Sequence, residues 1–424
     1  MSALIVFGIF AGLAIIGAPI MTALGLAGLT GTVGILNIPG TVMPQGFFSS
    51  VDSWPLLCTP FFLLSGAIMG KCGPATALFD MCEKFLGHIR GGLAIAVVVA
   101  CAFFGAITGS GIATAVAIGS MAVPEMLRAG YNKNLTYGLV AVAGTLGLMI
   151  PPSIYMIIFA GMVSGSVVEY FTAGYLPGIV IAAMMIVIAV LMSPREVRPR
   201  YPWDQRWKAL KHALPALGMP VIVMGSIYTG VFTATESAAL SILYCVVICP
   251  IFYRDKFTFK AFIQATKDAC KTTSQIYLIL GAVAAFSSAI TYMKVPQTIS
   301  QIVVDMHLTP TVFMVGCAIV YLIFGMFIDV IPILYLTVPI FFPVTQVLGI
   351  NTLHFMIMTI VMTMVAQVSP PFGVILFALT GTFKEKIETV VRGALPFIGV
   401  LLVACLLVIF VPQLSTCVVE LVLY

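Results

Sequence analysis

Charge is what this 424-residue sequence has least of: Asp, Glu, Lys and Arg together make up 8% of it, against about 25% in an average soluble domain. With 61% of its residues hydrophobic, no stretch is polar enough to coat a sizeable soluble domain. Paired cysteines are also missing. The ten cysteines are scattered without a CxxC pair, mostly inside apolar runs as at Cys101, Cys245 and Cys405, and read as small buried hydrophobes rather than metal ligands or disulfides. Histidine is scarce as well. His88, His212, His307 and His354 are assigned to loops or arms, which leaves no proton relay through imidazoles. The opening stretch "MSALIVFGIFAGLAIIGAPI" lacks the basic start and small-residue cleavage site of a signal peptide, so it is read as a first span kept in the mature chain.

What is present is a succession of apolar runs, each near the ~20 residues that cross a bilayer as a helix. The chain is therefore expected to be an all-α polytopic membrane protein surrounded by lipid. Its net charge of +5 would suggest a nucleic-acid partner if it were spread over a soluble surface. Instead Lys and Arg collect in short segments: Lys71 to Arg90, Arg128 to Lys133, residues 195 to 211, Arg254 to Lys271, and Lys384 to Arg392. By the positive-inside rule these are cytoplasmic, which leaves only Lys294 outside and no nucleic-acid partner. Residues 91–127 run between two such segments with "TGSG" at their centre, and each leg is too short to cross comfortably. We read them as a re-entrant hairpin. Residues 309–347, centred on "GMFIDVIP", have the same shape and open on the opposite side. Trp203 and Trp207, in the basic segment before Ala213, are read as interfacial anchors.

Sliding the sequence against itself so that Pro124 falls on Pro343 also brings Gly130 onto Gly349, Asn132 onto Asn351, and Pro151-Pro152 onto Pro370-Pro371. Glu169, Gly174 and Leu176-Pro177 fall on Glu388, Gly393 and Leu395-Pro396 in the same alignment. Shared Leu or Val would mean little in a membrane protein, but shared Pro and Gly fix backbone shape. The expected unit is a hairpin, a Gly/Asn loop, a span broken by Pro-Pro and a further span, present twice as an inverted repeat. Discontinuous helices meeting at a repeat interface are the architecture of secondary transporters. The repeat by itself leaves a channel or a membrane enzyme open.

Proline donates no amide hydrogen and crowds the carbonyl four residues back. Pro151 and Pro152 are thus expected to free the carbonyls of Gly147 and Leu148, and Pro370 and Pro371 those of Ala366 and Gln367. Such groups cost several kcal/mol in lipid unless protein, water or an ion satisfies them. Na+, a hard ion that takes oxygen ligands, meets that need, with Thr108 and Ser110 at the first tip and Gly325 and Asp329 at the second. The half-helices after each break aim their N-terminal amides at the same region, favouring a carboxylate, with Ser153 at that position. Asp329 is the acidic residue placed deep in the membrane and is read as an ion ligand. Glu236, three residues after Thr233, is read instead as half of a capping box.

Several stretches together resemble the large membrane subunit of the tripartite ATP-independent periplasmic (TRAP) transporters: "PFFLLSGAIM", "GHIRGGLA", "ITGSGIATAVAIGSMAVPEM", "GTLGLMIPPS", "FTATESAA", "FGMFIDVIPILYLTVPIFFPV" and "SPPFG". The resemblance covers nearly the whole chain. It implies a sodium-coupled importer of an organic acid, of C4-dicarboxylate or sialic acid type, in the bacterial inner membrane, using no ATP and working as an elevator. It further implies two partners, a small membrane subunit and a soluble periplasmic substrate-binding protein. Carried onto this sequence, the first sodium site falls at Thr108, Ser110, Gly147, Ile150 and Pro152, and the second at Gly325, Asp329, Ala366 and Ser369. Solute would lie between the tips, at Ser110, Ser153 and Asp329. Two positions depart from the family pattern: Ala234 where a proline is expected, and Ser369 where threonine is frequent. The expected division is N-terminal scaffold helices at 1–54, a first repeat at 55–192 with its broken helix at about 134–163, a cytoplasmic amphipathic segment and scaffold helix pair at 193–271, and a second repeat at 272–424 with its broken helix at about 352–383. The alternatives are a carboxylate or anion transporter that works without a binding protein, and an ion channel.

Overall fold

The computed structural model describes residues 2–194 and 200–423, and every regular element among them is helical. Arg195 and Arg198, assigned by the positive-inside rule to the cytoplasmic side, lie outside the described residues. Six of the described helices are long and apolar enough to cross a membrane, or up to eight if each of two bent pairs counts as one span.

The first 20 residues do not form the single span expected of them. Helix α1 (Ser2–Ile15) has 14 residues, about 21 Å at 1.5 Å per residue, short of the ~30 Å hydrocarbon core. Gly17 at φ 81° turns the chain, and α2 (Ile20–Leu29) starts after Pro19 and continues as a π-helical stretch over Thr30–Ile35. Helix α3 (Val42–Val51) meets a 3-10 turn at Trp54–Leu57 and α4 (Cys58–Lys71) at a bend of 61°. Helix α5 (Pro74–Leu86) then leads into the first hairpin, α6 (Gly92–Thr108) and α7 (Gly111–Arg128).

The broken span comes next as α8 (Lys133–Gly144), the single turn α9 (Leu146–Met149) and α10 (Ile154–Val163), bent by 40° at Pro151-Pro152. Helix α11 (Val167–Met192) ends the first repeat. Helices α12 (Trp203–Tyr228) and α13 (Ala234–Phe252) form the middle pair, and α14 (Phe259–Tyr292) is one helix of 34 residues, so the boundary drawn at 271/272 falls inside it. Helix α15 (Val295–Asp305) precedes the second hairpin, α16 (Pro310–Gly325) and α17 (Val330–Val347). The second break separates α18 (Thr352–Val368) from α19 (Val374–Phe383), and α20 (Ile387–Phe410) and α21 (Gln413–Leu423) complete the chain.

The repeated Gly/Asn signature has a local cause. Gly130 (φ 78°) and Gly349 (φ 65°) hold left-handed turns. Asn132 and Asn351 then cap α8 and α18, each accepting a backbone amide at 2.8 Å. Thr233 and Glu236 close the expected capping box at the start of α13. All cysteines but Cys270 and Cys417 are buried as free thiols. The histidine assignment needs correcting in two places, because periodicity alone did not fix the helix ends. His212 lies within α12, and His354 lies in the first turn of α18, buried, with Nδ1 3.4 Å from Ser415 Oγ.

Packing ties the basic segments together in pairs, as a common face requires. Lys71 pairs with Asp268, Lys256 Nζ donates to Thr76 Oγ1 at 2.8 Å, and Lys133 pairs with Glu385 at 2.9 Å. Arg206 lies over the rings of Trp203 (5.3 Å) and Phe85 (5.8 Å) and 3.3 Å from His88 Nδ1. Trp203 and Trp207 themselves are exposed, as interfacial anchors would be. Helix α14 packs against α2, α3 and α4 on one side and α17 on another, while α12 and α13 pack on α5 and α4. The two repeats exchange their half-helices: α10 lies on α17 of the second hairpin, and α19 lies on α7 of the first.

Candidate functional site

The first hairpin turns at Gly109, in the left-handed region at φ 61°, and Ser110 caps α7 with its Oγ accepting from Ala113 N at 3.5 Å. Thr108 is buried, and its hydroxyl lies 2.9 Å from that of Thr114. Thr114 donates in turn to the Ser110 carbonyl at 2.8 Å. This cluster rests on the first break. A Cβ added to Gly109 would fall 2.9 Å from the Pro152 carbonyl oxygen, and one added to Gly147 would fall 3.1 Å from the Ser110 carbonyl oxygen. Thr108, Ser110, Gly147 and Pro152 are therefore neighbours across some forty residues of sequence, with Ile150 in extended backbone between them. Thr114 was missed by the sequence reading, although its place one helical turn after Ser110 puts it on the same face of α7.

Two of the four carbonyls expected to be free, those of Leu148 and Ala366, have a donor, and Ser369 N supplies the one at Ala366 at 3.4 Å. Ser153 is fully buried, and its Oγ donates to the Leu148 carbonyl at 2.5 Å, so its hydroxyl repairs the ladder that Pro152 breaks. A solute contact at Ser153 would fall to the backbone amides at the start of α10.

At the second tip, Asp329 caps α17, with Val330 N donating to its Oδ1 at 2.7 Å. Its side chain is half-buried, and no Lys or Arg pairs with it among the described residues. Gly325 comes so close to α18 that an added Cβ would lie 2.5 Å from Ala366 Cβ. Ala366 holds the place in the second repeat that Gly147 holds in the first. The Ala366 carbonyl accepts from Ser369 N at 3.4 Å, Ser369 Oγ donates to the Val365 carbonyl at 2.9 Å, and Phe372 N donates to the Met326 carbonyl at 3.2 Å. Both tips thus dock on a Pro-Pro break of their own repeat.

Between the tips lies a link that the sequence reading did not find. Gln367 Nε2, buried in α18, donates to Tyr155 OH in α10 at 3.0 Å. Gln367 Oε1 is buried without a hydrogen-bond donor, and it abuts Gly111 at the start of α7. One amide thereby touches the first hairpin and the half-helix that packs on the second. The available signal was Gln367 itself, an uncharged amide in the run "MIMTIVMTMVAQV".

From the first tip a cavity of about 560 Å³ runs between α7 on one side and α4 and α14 on the other. Thr108 and Ser110 line its inner end, and Lys71, Lys256 and Asp268 line its rim.

A family profile described as "Tripartite ATP-independent periplasmic transporter, DctM component" matches residues 7–414. The C4-dicarboxylate TRAP transporter large permease protein DctM of Pseudomonas aeruginosa is 36% identical over 394 residues, which cover 92% of each chain. The ectoine/5-hydroxyectoine TRAP transporter large permease protein UehC of Ruegeria pomeroyi is 35% identical over 413 residues, 95% of each chain. Among solved structures, the Alcanivorax borkumensis YdaH transporter aligns with a TM-score of 0.61 at 14% identity, over 96% of this chain and 98% of that one. At that identity the likeness is one of fold alone.

Proposed function

We propose, from the premise that the chain belongs to the DctM component family of the TRAP transporters, that it couples an inward flow of Na+ to the import of a small organic acid. As a member of that family it is a multi-pass bacterial membrane permease and not an enzyme. The observation that carries the coupling is the docking of each hairpin tip on the Pro-Pro break of its own repeat. Each pairing brings carbonyl and hydroxyl oxygens together where helix ends leave them without full partners.

In this reading one Na+ is held by oxygens of Thr108, Ser110, Gly147, Ile150 and Pro152, and a second by those of Gly325, Asp329, Ala366 and Ser369. Hard-cation coordination by backbone carbonyls, hydroxyls and one carboxylate suits both sets. The solute lies between the tips, near Ser110, Asp329 and the α10 amides. The two repeats have opposite orientation, and the body carrying both hairpins slides as an elevator against a scaffold of α1 to α3, α12, α13 and the first part of α14. A small membrane subunit and a soluble periplasmic binding protein complete the system. The named relatives divide between a C4-dicarboxylate and ectoine; for this chain our reading is an organic acid of dicarboxylate or sialic acid type.

The test is uptake of labelled candidate acids into proteoliposomes holding the permease and its small subunit, with the binding protein outside. An inward sodium gradient should drive uptake, and Asp329→Asn and Ser110→Ala should each raise the sodium half-saturation about tenfold, the equivalent of ~1.4 kcal/mol. Unchanged half-saturation in both variants would remove the ion-site assignment. Uptake that is indifferent to sodium would favour a channel, and full uptake without the binding protein would end the tripartite reading.

A further inference from the structure

The cavity beneath the first hairpin ends in charges that the ion and solute sites do not use. Its inner end is the Thr108/Ser110 tip, and its rim, on the face that gathers the basic segments, carries Lys71 of α4, Asp268 of α14 and Lys256 just before α14. Two ammonium groups and one carboxylate leave the rim net positive. Lys256 is engaged by a neutral hydroxyl, Thr76 Oγ1. Lys71 is held by Asp268, but the two side chains remain 38% and 46% exposed, and an ion pair so open to water is worth little. A carboxylate arriving through the cavity can take the place of Asp268 on Lys71 without leaving a buried charge unpaired.

We propose that this rim is an anion site on the cytoplasmic release path, in which Lys71 and Lys256 draw the solute's carboxylate away from the hairpin tip and Asp268 takes its place on Lys71 once the solute has left. Low-dielectric walls concentrate the field of the two lysines along the cavity. The hydroxyls of Ser120 and Thr272, on its facing walls, already donate to the Val116 and Asp268 carbonyls, so the pull on a carboxylate comes from the two ammonium groups. The inference rests on the organic-acid reading above, and it adds a function to residues that lie outside the sodium oxygens.

The potential in the cavity can be measured with no knowledge of the solute. Ser120, half-buried on the cavity wall, is changed to Cys in the full-length chain after the two exposed cysteines are replaced, Cys270→Ser and Cys417→Ser. Its reaction rates with an anionic sulfonatoethyl and a cationic trimethylammonioethyl methanethiosulfonate are then compared. Relative to a free thiol, the anionic reagent should be favoured at least about threefold at low salt, with the preference lost near ~1 M salt. Lys71→Gln and Lys256→Gln should each lower it, Lys71→Arg should keep it, and Asp268→Asn should raise it. A free-thiol ratio in the parent, or a ratio that ignores all four variants, would overturn the proposal. That result is separable from failure of the transport reading, because sodium-driven uptake is assayed on the same preparations and can persist without an attractive rim.

Discussion

Gly109→Ala is the substitution whose cost is set most directly by the geometry of the first tip. Two terms add. The φ of 61° puts a non-glycine residue in the left-handed region, which costs about 1–2 kcal/mol. The new Cβ would also lie 2.9 Å from the Pro152 carbonyl oxygen, a contact that forces the tip or the break to move, at about 1–3 kcal/mol. Gly130 separates the two terms. Its φ is 78°, but nothing lies within 4 Å of its Cβ position, so Gly130→Ala carries the strain without the contact. Both variants should lower thermal stability in detergent. Only Gly109→Ala moves an oxygen proposed to hold sodium, and if the contact term falls on the ion-bound form, the sodium half-saturation should rise about 5- to 150-fold. The assay is sodium-dependent uptake of both variants in the reconstituted system. Equal half-saturation in Gly109→Ala, Gly130→Ala and the parent, with all three folded, would refute the placement of sodium at the Pro152 carbonyl.

Two further outcomes are expected. Gln367→Met and Tyr155→Phe each strand a buried polar group and should each destabilise by about 1–3 kcal/mol, while the double variant should lose less than the sum; additive losses in unfolding midpoint would mean that the Gln367–Tyr155 bond contributes nothing. Burial, with the charges of Arg206 and Arg200, holds the His88 imidazole below its ordinary value of 6.5. The unfolded chain therefore binds that proton first, and stability should fall as pH drops below 6.5. His88→Gln should flatten the slope of unfolding midpoint against pH there, and an unchanged slope would show that His88 titrates freely.

The hairpins and breaks were legible because they are written in residues that act on their own backbone. Gly130 and Gly349 turn the chain whatever surrounds them, Asn132 and Asn351 cap the helices that start beside them, and tandem prolines end a helix without help from a neighbour. The Gln367–Tyr155 bond was not legible in this way, since it joins two repeats and exists only once α10 and α18 are packed. The Leu148 carbonyl was misjudged for a related reason. Its partner depends on how the chain folds back after Pro152, which brings the Ser153 hydroxyl onto it. The N-terminal run was apolar enough for one span, but Gly17 and Pro19 carried more weight than mean hydropathy.

The exchange of half-helices has a consequence for how the chain is made. Helix α7 leaves the ribosome long before α19, one of the segments that pack on it, and α10 must wait in the same way for α17. During synthesis the first hairpin therefore sits against α6 and α8 with its α19 contact unmade, and neither half is a finished object until almost the whole chain has been inserted. Two polypeptides cut between α12 and α13 would have to find each other to become whole, each lacking the piece that the other carries.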